Sequence, residues 1–397
     1  MIIGVVGKPS SGKSTFFNAA TMQDVPMAAY PFTTIEANKA VGFVRIECAD
    51  KDFNVQCNPR TGFCHEHVRF VPVELVDVAG LVPGAHEGKG MGNQFLSDLS
   101  RADVLIHVID ISGSTNEKGD AVALGSHDPA RDVEFLEEEI DLWFLGIIDK
   151  NWRKFAGTPF ESKAKLVTAM AQNLSGIGAT EAHIDSVLLE LNLTDKKPMM
   201  WSEDEKKSFA RKFREKSKPV VIAANKADYP NAAQNLEALK KKFPSKIIIP
   251  CSGIAELTLK RAAKDGSLEY IQGNDDFKVL KELNEKQKQG LDYIRKNVLE
   301  KFKGTGVQEV LETAVFKLLG YIAIFPGGTK GLTDAQGRTM PDCFLLPPHS
   351  TALDFAYRLH TDFGDKFIKA INVKTRQLIG KEHELQSRDV VEIVHSA

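Results

Sequence analysis

The stretch GKPSSGKST, residues 7–15, follows the apolar run IIGVV directly and constrains the fold more than any other feature. Gly7, four residues, then Gly12-Lys13-Ser14 is the spacing of a phosphate-binding loop between a strand and a helix. The glycines let the backbone curl so that successive N–H groups converge on phosphate oxygens. A helix expected from Ser14 onward adds the positive end of its dipole. Ser10, Ser11 and Thr15 complete the cradle, Lys13 is placed to reach β- and γ-phosphates, and the Ser14 hydroxyl is a candidate Mg²⁺ ligand. An ordinary Gly/Ser turn would share this short pattern, so the downstream motifs decide.

VRFVPVELVDVAGL, residues 68–81, reads as a strand ending at Asp77 and followed by Gly80. Asp77 is expected to hold Mg²⁺ through water, and the Gly80 N–H to touch the γ-phosphate. DVLIHVID, residues 103–110, is a near-continuous apolar run and so a buried parallel strand. PVVIAANKAD, residues 219–228, ends another strand with Asn225-Lys226-Ala227-Asp228. Guanine offers N–H donors at N1 and N2 that one carboxylate accepts together. Adenine offers no such pair, so Asp228 would stay desolvated and unbonded against it. Asn225 and the Lys226 stem complete that pocket, and the Ser252-Gly253 backbone at the end of IIIPCSG is a candidate partner for guanine O6. In AAYPFTTIEAN, residues 28–38, Thr33 and Thr34 are candidates to close over Mg²⁺, with Thr34 favoured. The ordered set points to an α/β fold with a mostly parallel sheet that binds GTP and GDP.

At 397 residues the chain has room for two or three domains. Its formal net charge of −2 gives no bulk attraction to nucleic acid. No apolar run reaches transmembrane length, and a phosphate loop beginning at residue 7 leaves no room for a signal peptide, so a cytoplasmic monomer without membrane contact is expected. Cys48, Cys57 and Cys64 cluster beside His65 and His67. Three thiols and an imidazole, Cys48/Cys57/Cys64/His67, could hold zinc. The intervening lengths of eight and six residues match no standard zinc knuckle, so a β-hairpin with incidental thiols is the first reading and a metal site or redox pair the alternative.

More than a hundred residues separate Asp110 from Asn225, far beyond a plain connection. Leu136, Ile140, Trp143, Phe144, Ile147 and Ile148 recur at helical spacing opposite a run of Glu, which predicts a helical insertion over 131–217. KAKLVTAMAQNL, IDSVLLELNL and DEKKSFARKFREKS continue as helices, with a long antiparallel hairpin as one arrangement, the apolar stripe as helix-to-helix core and the acidic run as a solvated face. Residues 278–303 carry eight Lys or Arg against four Asp or Glu, a mixed helical face with a weak claim on RNA phosphates. From Phe325 the pattern turns to short strands around one helix, a ubiquitin-like α+β module. There Ser350 and Asp354 read as cap and first-turn residues, and His360 as an ordinary helical residue. The expected division is a G domain in two parts, 1–130 and 218–324, an insertion over 131–217, and a module over 325–397.

GKPSSGKST, YPFTT and DVAGLVPGAHEGKGMGNQFL resemble the Obg-related GTPases of the translation-factor class. DISGSTNEKG, the acidic helix after it and the carboxyl-terminal part most resemble the YchF-type branch in its archaeal form. LPPHSTALDFAYRLHTDFGDKFIKAI and the closing RDVVEIV resemble a TGS domain. The resemblance implies a Mg²⁺-dependent nucleoside triphosphatase with Lys13, Thr34 and Gly80 at the reacting phosphate, and a ribosomal (large-subunit) or RNA partner. Many YchF-type proteins lack the guanine Asp and use ATP, whereas this chain retains Asp228. An ATPase with relaxed base specificity and a nucleotide-stabilised scaffold are the alternatives. Ser10 stands where Obg-related proteins commonly carry an Asn that helps bind potassium, which leaves potassium an open second cation. Leu81 stands where a Ras-like enzyme has the Gln that orients water, and an apolar side chain cannot do that work. His86 is the nearest titratable candidate to replace it.

Overall fold

Short β-branched runs alternating with amphipathic stretches build a doubly wound sheet here. The computed structural model describes residues 1–21, 38–78, 92–156 and 162–396. Thr33, Thr34, Gly80, Leu81 and His86 lie outside the described residues. Residues 1–21, 38–40 and 74–310 form one compact unit; residues 41–73 and 311–396 form a second. The linear division placed 41–73 within the G domain's first part. In the structure that segment supplies strands to the main sheet and also shares a core with the carboxyl-terminal module.

The main sheet contains β1 (Ile2–Val6), β2 (Lys39–Glu47), β3 (Phe63–His65), β4 (Val68–Asp77), β5 (Val104–Asp110), β6 (Val220–Asn225) and β7 (Ile247–Pro250), in the order β2-β4-β1-β5-β6-β7, with β3 antiparallel on β4. From β4 across to β7 the pairings are parallel. Every residue of β5 is buried, as its apolar run predicts for a strand covered on both faces. Around the sheet of the first unit lie α1 (Lys13–Thr21), α2 (Gly92–Arg101), α7 (Ala232–Lys242) and α8 (Gly253–Lys264).

The insertion is four helices, one on each of the helical segments read from the sequence: α3 (Pro129–Ala156), α4 (Lys163–Asn173), α5 (Glu181–Glu190) and α6 (Glu203–Ser217). Ser162, Thr180 and Ser202 cap the last three, the Ser202 cap closing a box with Glu205. Leu136, Ile140, Phe144 and Ile148 of α3 are buried against Phe209 and Phe213 of α6. Truncating Phe144 to Ala would cost about 3–5 kcal/mol. The acidic face of α3 is not simply solvated. Arg214, 2% exposed, donates to Asp141 at 2.8 Å and lies 3.5 Å from Glu137.

A two-stranded ribbon of β8 (Leu268–Glu269) and β9 (Lys278–Val279) precedes α9 (Glu285–Ile294), which runs through a π-helical turn, Arg295–Leu299, into α10 (Glu300–Phe302). Leu291, Ile294, Val298 and Leu299 close a core with Ala255 and Leu259, so the apolar stripe of this mixed-charge segment is spent inside the unit. α11 (Val307–Glu312) follows.

In the second unit β10 (Ile322–Pro326), β11 (Phe344–Leu346), β12 (Phe367–Asn372), β13 (Leu378–Ile379) and β14 (Val390–His395) form a sheet ordered β11-β10-β14-β12-β13. α12 (Ala352–Leu359) buries Ala352 and Phe355 against it, and α13 (Thr361–Asp365) follows. This is the expected ubiquitin-like module. Its helix cap is Thr351, boxed with Asp354, one residue later than the Ser350 expected from sequence. His360 is not mid-helix: it ends α12 and caps α13 by accepting from the Asp362 N–H. A second core of this unit joins Cys48, Ala49 and Cys57 to Phe325, Met340 and Val390.

Candidate nucleotide-binding site

The register of the main sheet gathers the motifs at one edge. Val5 pairs with Asp77, Val6 with His107, and Asp110 with Asn225, so the carboxyl ends of β1, β4, β5 and β6 lie side by side. Ligands of open α/β sheets bind at that edge, where connections leave to opposite faces.

The phosphate loop sits there between β1 and α1. Gly7 packs so tightly that a Cβ would strike the Val108 carbonyl. Gly12 has φ +88, and a Cβ on it would collide with Asn225 Nδ2. Ser10 also takes a left-handed φ of 60. Ser11 is fully buried and its Oγ has no hydrogen-bond partner among the described residues. Lys13 Nζ forms an ion pair with Asp77 Oδ1, which brings together two residues the sequence assigned to phosphate and metal. Ser14 is exposed and Thr15 half-buried at the start of α1.

The base-recognition motif is equally well placed. Asn225 Nδ2 donates to the Ser11 carbonyl at 3.1 Å, and its Oδ1 accepts from the Gly253 N–H at 3.0 Å. Asn225 thus ties the phosphate loop to the turn after β7. Lys226, at φ 63, donates to Asp110 Oδ2 at 2.9 Å and to Ser114 Oγ at 3.2 Å. Burial pushes the Asp110 carboxyl up, but hydrogen bonds from Ser112, Lys226 and Thr115 outweigh it, and the net shift is downward. Asp228 Oδ1 is buried with no hydrogen-bond partner among the described residues. The backbone donors expected to reach O6 are already engaged: Ser252 N–H on Thr305 O at 2.9 Å and Gly253 N–H on Asn225. The Ser252 hydroxyl accepts from Ala255 N–H as the cap of α8. Contact with a purine O6 from this turn therefore requires one of these bonds to be shared.

Three residues here had no signal in the sequence. Lys8, inside the phosphate loop, reaches Asp132 of α3 and the Thr115 carbonyl. Asp110, legible only as a strand end, organises Ser112, Ser114, Thr115 and Lys226. Tyr293 donates to the Asp228 carbonyl at 2.9 Å from α9, 65 residues away. Thr34 and Gly80, assigned to the reacting phosphate, lie outside the described residues.

Comparison with known proteins identifies the family. Residues 2–137 match the family described as 50S ribosome-binding GTPase. Residues 223–327 match Obg-like GTPase YGR210-like, G4 motif-containing domain, and residues 334–395 match the TGS domain. A GTP-binding protein of Methanocaldococcus jannaschii is 44% identical over 399 residues, covering 100% of this chain and 99% of its own. The ribosome-binding ATPase YchF of Bacillus subtilis is 25% identical, covering 98% of this chain and 97% of its own. The crystal structure of a GTP-binding protein from Pyrococcus horikoshii covers all of both chains at 38% identity and a TM-score of 0.78. With its motifs in order along one parallel sheet and a relative matched from end to end, the chain belongs to the Obg-like, YchF-type family of P-loop GTP-binding proteins with a C-terminal TGS domain.

Proposed function

We propose that this protein binds GTP and GDP in preference to ATP and hydrolyses GTP slowly, as a switch read by a ribosomal partner. The observation that carries the base assignment is Asp228 Oδ1, a buried carboxylate oxygen without a partner among the described residues. A group in that state costs on the order of 1–3 kcal/mol until something donates to it. Guanine N1–H and N2–H are donors of the right kind; adenine has none to offer at that edge.

Lys13 and Asp77 form an ion pair. Incoming phosphates give Lys13 a stronger anionic partner and release the carboxylate. The exposed Ser14 hydroxyl and the Asp77 carboxylate are then the residues that would hold Mg²⁺, joined in sequence by Thr34. When bound, the metal neutralises charge on the β- and γ-oxygens. Lys13 stabilises the same charge from the protein side. Leu81 supplies nothing to orient the attacking water, so basal turnover is slow.

The ribosomal part of the reading rests on the TGS module, on the family name matched by residues 2–137, and on the name of the Bacillus relative. That name also says ATPase, which supports relaxed base use as the second reading. Titration of the full chain with GDP, GTP and ATP tests the choice. GTP and GDP should bind at least about tenfold tighter than ATP, a gap of ~1.4 kcal/mol or more. Equal affinity for ATP rejects the guanine assignment. Purified large ribosomal subunits should raise the GTP turnover of the full chain several-fold; rapid turnover that ribosomes leave unchanged rejects the partner-gated switch.

A further inference from the structure

We propose that Cys48, Asp50, Cys57 and Cys64 form a structural zinc site that fastens the segment 41–73 within the second compact unit. One potential donor atom from each of the four lies within 4.8 Å of every other. Cys48 Sγ is 3.6 Å from Cys57 Sγ, and Cys64 Sγ is 3.8 Å from Asp50 Oδ2. A tetrahedron with Zn–S near ~2.3 Å and Zn–O near ~2.1 Å has edges of roughly 3.6–3.8 Å. These two pairs already have the spacing of such edges.

The fourth donor is Asp50, not the His67 expected from sequence. His67 Nδ1 meets Asp50 Oδ1 at 2.9 Å, while Asp50 Oδ2 accepts from Cys57 N–H at 2.9 Å and keeps its second lone pair toward the sulfurs. That places the imidazole behind the carboxylate, where it orients the donor. Local backbone explains the assembly across irregular spacing. Cys48 N–H bonds His67 O at 2.7 Å, the 3₁₀ turn Ala49–Phe53 carries Asp50 inward, and left-handed Asn54 sends the chain back toward Cys57.

Burial makes the case from charge. Asp50 and Cys48 are fully buried and Cys57 is 6% exposed. Arg69, 1% exposed, donates to Cys57 Sγ at 3.4 Å and otherwise to the Met340 and Pro341 carbonyls. A buried guanidinium that faces a sulfur and two neutral carbonyls wants an anion, and a metal-bound thiolate is one. Soft sulfur donors with one carboxylate in a closed four-ligand set select zinc over Mg²⁺ or Ca²⁺. The loop so held pairs with the module itself, Asn58 N–H on Thr339 O at 2.8 Å and Arg60 N–H on Pro341 O at 2.9 Å. Zinc would therefore hold this loop against the strand-entry segment 339–341.

The test is metal analysis of the full chain, made without a metal-affinity tag and kept reduced. About one zinc per chain is expected, and cobalt substitution should give the visible bands of a tetrahedral thiolate site. Cys57→Ser should lose the metal. Because Cys57 is in the core, Cys64→Ser, at a half-buried position, is the second variant; it should stay folded by circular dichroism and bind zinc at least ~100-fold more weakly. Cys343→Ser, outside the ligand set, should keep its zinc. The proposal is overturned if the reduced chain neither contains zinc nor takes it up at micromolar concentration. It is equally overturned if Cys64→Ser binds zinc as the unmodified chain does, or if the purified chain carries a Cys48–Cys57 disulfide and binds no zinc after reduction.

Discussion

Lys8 Nζ lies 2.9 Å from Asp132 Oδ2, and both side chains are 3% exposed. The pair joins the phosphate loop to the first helix of the insertion, with His127 Nε2 on the other carboxylate oxygen at 2.7 Å. The phosphate loop is thus tied directly to the four-helix insertion.

Breaking that pair from one side should be costly. Asp132→Ala leaves a buried ammonium without its anion, and a loss of about 3–5 kcal/mol in denaturant unfolding is expected. The double variant Lys8→Met/Asp132→Leu removes both charges and should recover most of it. A double-mutant cycle measures the coupling; additive losses would show that the two charges act independently.

Gly12→Ala should abolish nucleotide binding while sparing the fold. Its Cβ would strike Asn225, the residue that ties the loop to the base-recognition turn, and its φ of +88 is strained for alanine. GDP affinity should fall by more than about tenfold, with the far-ultraviolet spectrum unchanged. Full affinity in this variant would mean that the loop adopts another conformation around the ligand.

The Asp110 carboxyl is held below its ordinary value of 3.8. Its ionised form therefore stabilises the fold above that value, and the contribution is lost as pH falls through the lowered folded value. The stability difference between the unmodified chain and Asp110→Asn should be level from about pH 5 to 8 and shrink below about pH 4. The same variant frees Lys226 and should weaken GTP binding at neutral pH, which a titration would detect.

Lys218 is buried with Nζ on the Ser100 carbonyl at 2.9 Å and on the Ala102 carbonyl. Burial pushes it down from 10.5 to about 8, and the charge of Asp103 only partly opposes this. Between those values the unfolded chain keeps a proton that the folded chain has released, so raising the pH favours folding. Relative to Lys218→Met, the unmodified chain should gain up to ~3 kcal/mol as pH rises from about 8 to 10.5. A difference that stays constant with pH would mean the amine keeps its charge.

How much could be read before folding depends on where each residue's partner lies. The gathering of Lys13, Asp77, Asn225 and Asp228 at one sheet edge was legible because the motifs sit at fixed offsets from strand ends, and apolar runs marked those strands. The TGS module was legible for the same local reason. The inner face of α3 followed from helical period, but its acidic face was misjudged, because Asp132 and Asp141 find their cations at Lys8 and Arg214, 124 and 73 residues away. No local pattern encodes such a meeting. The meeting of Asp50 with Cys48, Cys57 and Cys64 depends on one 3₁₀ turn, and the union of 41–73 with 311–396 on a core shared by Cys57 and Met340. Side-chain chemistry and periodicity are properties of neighbours in the chain; burial, charge pairing and donor geometry arise only between segments that packing brings together.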